Sequence, residues 1–266
     1  LARAAAAGHR VVLVVATAGE AGLAAAGPGT ELGERRTREL AASAQAIGAT
    51  RVEVLGYGDS GWDHEPTGAV VPFRTADPEQ AAVRLAAILR EEHADVLTSY
   101  DAAGGYGHPD HVQVHHVGRR AAELAGTPVL LEATLDRARV DRLFGVLRCV
   151  ARVVPLPPLP DTHRAFTARI DLTHEVDIRS HLDAKLASLR AHASQASGGD
   201  RPRTLAVLLR LPRPLARRVL GREWFREVGR PPGRRLEDDI FATLRARPVP
   251  SGRSGSRQVP GASVAP

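Results

Sequence analysis

The chain of 266 residues contains no Met, one Cys and one Lys, and only 4% of its residues are aromatic. A single Cys149 excludes an internal disulfide and makes a reducing cytoplasm the default compartment. No run approaches the eighteen or so apolar residues of a membrane span; the longest, such as 11–16, have strand length. No charged flank, apolar run and cleavage site follow one another as in a secretory signal. The near-absence of Lys beside 35 Arg, with abundant Ala, Gly and Pro, has the look of a GC-rich coding bias.

The formal charge of +6 is unevenly spread. Residues 201–266 hold 15 Arg against 5 acidic residues, while the first 200 hold 21 basic and 25 acidic groups. The basicity is thus a property of the C-terminal segment, which carries no recognition motif. It reads as a solvated, composition-driven extension, and nucleic acid is not expected as a partner.

Apolar runs alternate with segments of helical spacing. Strands are expected at 11–17, 51–55, 94–100 and 128–134, the first buried on both faces. Helices are expected at 1–8, 31–47, 78–93, capped by Asp77, and 112–125. This alternation predicts an α/β fold with a mostly parallel sheet and helices on both faces. The polar loops at 17–30, 56–72 and 101–111 each follow a strand, so they should converge on the carboxyl edge where such sheets bind ligands. After the proline-rich connector 155–160, a strand-like stretch at 162–171 and a helix at 178–197 are expected. Residues 201–246 read as an Arg-rich helical extension, and 247–266 as a disordered tail.

Within 101–111, Tyr106, His108, Asp110 and His111 place a phenol, two imidazoles and a carboxylate in six positions, beside Gly104, Gly105 and Gly107. Such a set can bind a metal, move a proton and stabilise an oxyanion. His115, one turn after His111, is a second candidate ligand or a packed histidine.

The run from Ser99 through Gly104-Gly105-Tyr106-Gly107-His108-Pro109-Asp110-His111 resembles the second signature of the PIG-L/LmbE family of zinc-dependent N-deacetylases. Gly56-Tyr57-Gly58-Asp59-Ser60-Gly61, Thr17-Ala18-Gly19-Glu20, Arg36-Thr37-Arg38-Glu39-Leu40 and Ala191-His192-Ala193-Ser194-Gln195 resemble further family motifs in the same order. The resemblance covers residues 1 to about 197 and makes 1–200 a deacetylase domain of Rossmann-like architecture. It implies hydrolysis of the N-acetyl amide of an N-acetylglucosamine-type sugar or sugar conjugate, with Zn2+ lowering the pKa of a bound water. By the same resemblance His111 is a zinc ligand, and His108 acts on the oxyanion and the leaving amine. Asp110 orients a histidine, Tyr106 donates to the oxyanion, and Arg36, Asp59, His192 and Gln195 face the substrate.

The family's first signature, an Ala-His-Pro-Asp-Asp-Glu run carrying a His and an Asp ligand and the general base, is absent from the chain. The chain is therefore read as an N-terminally incomplete family member, expected to be inactive as it stands and to lack a strand between 11–17 and 94–100. The alternative is a catalytically inactive sugar-binding member. Self-association into a homo-oligomer is left open.

Overall fold

The computed structural model describes residues 1–17, 31–61, 70–150, 152, 165–192 and 208–246. Six strands, nine α-helices and three short 3-10 turns lie among them. In chain order the strands are β1 (Val12–Thr17), β2 (Arg51–Tyr57), β3 (Val96–Tyr100), β4 (Val129–Thr134), β5 (His174–Asp177) and β6 (Arg222–Glu227). The helices are α1 (Ala2–Ala6), α2 (Glu31–Ile47), α3 (Pro78–Glu91), α4 (Gly104–Gly107), α5 (Pro109–Ala125), α6 (Arg137–Val150), α7 (Leu182–Ala191), α8 (Arg213–Leu220) and α9 (Ala242–Ala246).

The first 134 residues follow the expected pattern closely. α2 ends where Gly48 adopts φ +75°, and Asp77 caps α3 by accepting the Glu79 N–H at 2.9 Å. β1 and β2 pair in parallel, as do β3 and β4. Among the described residues β1 pairs only with β2 and β3 only with β4, and no ladder joins the two sheets. Val14, Ala16 and Leu97 nevertheless rest on one core built around Phe73, Ala81, Leu85 and Val117, so α3 and α5 cover both sheets. The break between the two sheets corrects one expectation. Every residue of β1 is half-buried rather than enclosed, because a strand lacking a neighbour on one side keeps part of its surface open.

The second half departs further from the sequence reading. Of the strand expected at 162–171, the described residues 165–171 form a bend and a 3-10 turn, and the ladder forms later, at β5. Within 201–246, the described residues 208–246 do contain short helices, α8 and α9. They also contain β6, which lies between β4 and β5 and is antiparallel to both. The alternating charges of Arg222-Glu223-Trp224-Phe225-Arg226-Glu227 hide a strand whose apolar burial rests on Trp224 and Phe225. α6 was not anticipated. Of the helix expected at 178–197, α7 occupies 182–191; positions 193–197, the connector 155–160 and the tail 247–266 lie outside the described residues.

Candidate active site

The cluster begins where β3 ends. Asp101 is buried and acts as a hub: one carboxylate oxygen accepts the Gly105 N–H at 2.8 Å, and the other accepts the hydroxyls of Thr134 and Thr167. This pins the glycine turn to the end of β4. Gly104 sits at φ +61°, where a Cβ would stand 2.7 Å from the Val112 nitrogen, so only glycine lets the turn fold back on α5. The turn continues into α5 earlier than expected. Pro109 occupies the first helical position, and His108 is the N-cap, its Nδ1 accepting the Asp110 N–H at 3.2 Å. His108, Asp110 and His111 therefore belong to a helix start rather than to a loose loop. Because Nδ1 accepts, the ring proton of neutral His108 sits on Nε2.

His111 is clamped between aromatic rings. Tyr100 stacks on it at 4.1 Å between centroids with 9° between planes, and Tyr106 meets it edge-on at 5.2 Å. The His108 ring lies 5.0 Å away. Burial first, then the neighbouring His108, push the His111 pKa down, so the imidazole is a neutral lone-pair donor at neutral pH. Its Nδ1 is buried without a hydrogen-bond partner among the described residues. Burial raises the Tyr100 phenol to about 12. Tyr106 is 55% exposed, and its pKa is raised by burial and then by the charge of Asp59.

The loop after β2 closes on this group. The Ser60 N–H donates to Asp110 Oδ2 at 3.0 Å, and Ser60 Oγ accepts the Arg74 N–H. Asp59 Oδ1 accepts the Gly61 N–H at 3.0 Å, forming the local turn. The loops at 56–61 and 101–111 thus converge as expected, while 18–30 lies outside the described residues. Arg36 and His192 form a second group where α2 meets α7. Arg36 is 5% exposed, and its Nε and Nη2 have no hydrogen-bond partner among the described residues. His192 has its pKa lowered by burial, with Glu39 opposing and Arg36 adding to the shift. Gln195 lies outside the described residues. His115 turns its Nδ1 to the Tyr100 carbonyl at 3.1 Å and lies near Glu132, as a packed histidine does.

Sequence reading missed Asp101 and Tyr100. Both stand directly before the glycine turn, where a polar pair closing a buried strand is a usable signal. It gave Asp110 a histidine to orient; Asp110 Oδ2 accepts the Ser60 N–H, and its Oδ1 is buried without a hydrogen-bond partner among the described residues.

Zinc, which the family resemblance implies, is tested by these donors. His111 Nδ1 is a buried nitrogen with no hydrogen-bond partner that meets normal geometry among the described residues, as suits a ligand. A catalytic zinc takes three protein ligands, and among the described residues no group of three His, Cys, Asp or Glu side chains is placed to hold a metal. The described residues do not make up a zinc site.

Comparison with known proteins adds the following. The PIG-L family profile, described as GlcNAc-PI de-N-acetylase, matches residues 1–122. A protein from a Nocardioides species, named 1D-myo-inositol 2-acetamido-2-deoxy-alpha-D-glucopyranoside deacetylase, is 35% identical over 290 residues, covering 92% of each chain. The N,N'-diacetylchitobiose deacetylase of Pyrococcus horikoshii superposes with a TM-score of 0.54 at 19% identity, over 85% of this chain and 76% of its own. A 4-carboxy-2-hydroxymuconate hydratase from Pseudomonas putida superposes with a TM-score of 0.51 at 19% identity, over 89% and 91%. One fold therefore carries two reaction types, and these superpositions speak for the architecture alone.

Proposed function

The chain belongs to the PIG-L family, and we propose that its site serves hydrolysis of the N-acetyl amide of an N-acetylglucosamine-type sugar conjugate. The observation that carries this reading is the convergence of Tyr106, His108 and His111 at the end of β3, closed by the Asp59–Ser60 loop through Asp110. An amide carbonyl develops negative charge on its oxygen as a nucleophile adds, and its nitrogen must be protonated to leave. Neutral His108 keeps Nδ1 for the cap and presents Nε2–H as a hydrogen-bond donor to the oxyanion; it protonates the leaving amine only as the imidazolium, after leaving the cap and taking the proton that the attacking water gives up. The phenol of Tyr106 stays protonated at neutral pH and is a second donor to the oxyanion. Its exposed position beside Gly105 and Gly107 lets it reach a bound carbonyl.

Asp59 accepts, and Arg36 donates, to sugar hydroxyls; Arg36 has two donor nitrogens in need of partners. His192 stands beside Arg36 on the same face, and Gln195 belongs to the same family motif. The inositol-linked acetamido sugar in the relatives' name supports a conjugate with a second polyol ring. Zinc enters this reading as the family's metal with His111 as a ligand. The steps assigned here are those of the protein's own groups, because the described donors do not complete the metal site.

That same shortfall favours a second reading, a family member that binds the acetylated sugar without cleaving it. One experiment separates them. The chain is incubated with an N-acetylglucosaminyl inositol and zinc, and both acetate release and sugar binding are measured. Acetate release that disappears in His111→Ala supports hydrolysis. Saturable binding with no acetate release supports the second reading. Neither binding nor release would refute both.

A further inference from the structure

A cavity of about 850 Å3 opens at β5, the outer strand of the four-stranded sheet, separated from β3 by β4 and β6. Its volume is in the range of small-molecule sites. Arg169, Arg222, Arg234 and Arg235 line it, together with Glu175, Asp177 and Asp238.

The carboxylates are already matched from within the protein. Glu175 accepts from Arg169 at 2.7 Å and Arg222 at 3.0 Å, with Arg139 at 3.2 Å. Arg169 and Arg139 also meet Asp136, and Asp238 is paired with Arg3, yet once Arg234 and Arg235 are added the arginines around the cavity outnumber these carboxylates. Asp177 is engaged by Arg179. Arg234 and Arg235, by contrast, have no ion-pair or hydrogen-bond partner among the described residues. They follow Pro231-Pro232-Gly233, two residues of fixed φ and a tight turn in which a Cβ on Gly233 would stand 3.2 Å from the Arg235 carbonyl oxygen. A turn that is stiff before binding loses little entropy on binding. On the rim, Ile170 is 79% exposed, the most exposed large apolar side chain described.

Adjacent guanidinium forks, an excess of positive charge and one bare aliphatic side chain define the ligand's chemistry. Guanidinium suits the geometry of a phosphoryl group, which it contacts through two parallel N–H donors. We propose that this cavity binds a phosphate monoester of a small molecule, with its phosphoryl group on Arg234 and Arg235 and its non-polar part against Ile170. The site is separate from the proposed deacetylase centre and does not rest on that reading.

The test is calorimetric titration of the full chain with inorganic phosphate and with phenyl phosphate at about 0.15 M salt. Phenyl phosphate is expected to bind one per chain and at least about five-fold more tightly than inorganic phosphate. The double variant Arg234→Gln, Arg235→Gln should weaken both by about ten-fold or more, since charge-assisted bonds are lost. Ile170→Ser should erase the preference for phenyl phosphate and leave inorganic phosphate unchanged, and it reads the site independently should the arginine variant misfold. Equal binding of the two probes, binding that survives loss of Arg234 and Arg235, or non-saturable uptake would overturn the proposal. So would capture on anionic lipid vesicles without binding of the soluble ester.

Discussion

Asp110 on the first turn of α5 accepts the backbone N–H of Ser60, 50 residues earlier in the chain, at 3.0 Å in a buried setting. That one bond joins the loop after β2 to the histidine-bearing helix start. Removing the acceptor leaves a buried N–H unpaired. Asp110→Ala should therefore cost about 1–3 kcal/mol, and it should expose the loop at 56–72 to protease before the rest of the chain. Asp110→Asn keeps an acceptor oxygen and should lose less. Urea denaturation with limited proteolysis checks both, and equal stability of wild type and Asp110→Ala would sink the assignment.

Arg36 carries the opposite bargain. A guanidinium that is buried, with two nitrogens unpartnered among the described residues, is an unfavourable arrangement for the empty fold. Arg36→Met, of similar length, should raise stability by about 1 kcal/mol while weakening binding of an acetylated amino sugar about ten-fold. Thermal denaturation and sugar titration on the same preparation test the trade. A variant that is both less stable and unimpaired in binding would show the side chain to be structural.

Gly104 tests the turn itself. Gly104→Ala places a Cβ 2.7 Å from the Val112 nitrogen at φ +61°. The expected cost is about 1–3 kcal/mol, and the His111–Tyr100 stack should loosen with it. The chemical shifts of the His111 ring protons report the stack, and an unchanged spectrum with unchanged stability contradicts the close approach.

Acid stability has a specific source at the opposite edge. Arg10 and Arg51 hold the Glu92 carboxylate at a pKa of about 2, against 4.5 for a free glutamate. A folded-state pKa below the unfolded one contributes stability that is present above about 4.5 and is lost as pH falls toward 2. Glu92→Gln should lower the Tm at pH 7 slightly and flatten its decline between those two values. An identical acid limb in both proteins would remove Glu92 from the account. High salt should narrow the difference, because Arg10 is solvent-exposed and Arg51 only partly buried.

Metal loading closes the set. With His111 as the one described donor, the chain purified with zinc and then dialysed should retain well under one zinc ion. Occupancy near one per chain, lost in His111→Ala, would mean that residues beyond those described complete the site.

Several features were legible without coordinates because they are local. A proline after a histidine, three glycines in four positions and an Asp-Ser-Gly loop each restrict backbone conformation by their own chemistry, and the strands and helices up to 134 follow from hydrophobic period. Membership of the PIG-L family was legible for the same reason, since its motifs are short runs in a fixed order. β6 was not legible: its charged residues pair with partners far away, Arg226 with Glu132 and Lys185 with Glu223, so no alternation of its own betrays it. Nor could spacing show that Asp110 would choose Ser60, that Tyr100 would stack on His111, or that Arg36 would be buried with His192 beside it. Those outcomes depend on which segments the sheet brings side by side. Short-range sterics and periodicity determined the elements and the cluster within 101–111. Long-range packing alone decided what each polar atom meets, because a hydrogen bond between residues 50 apart has no signature in either segment by itself.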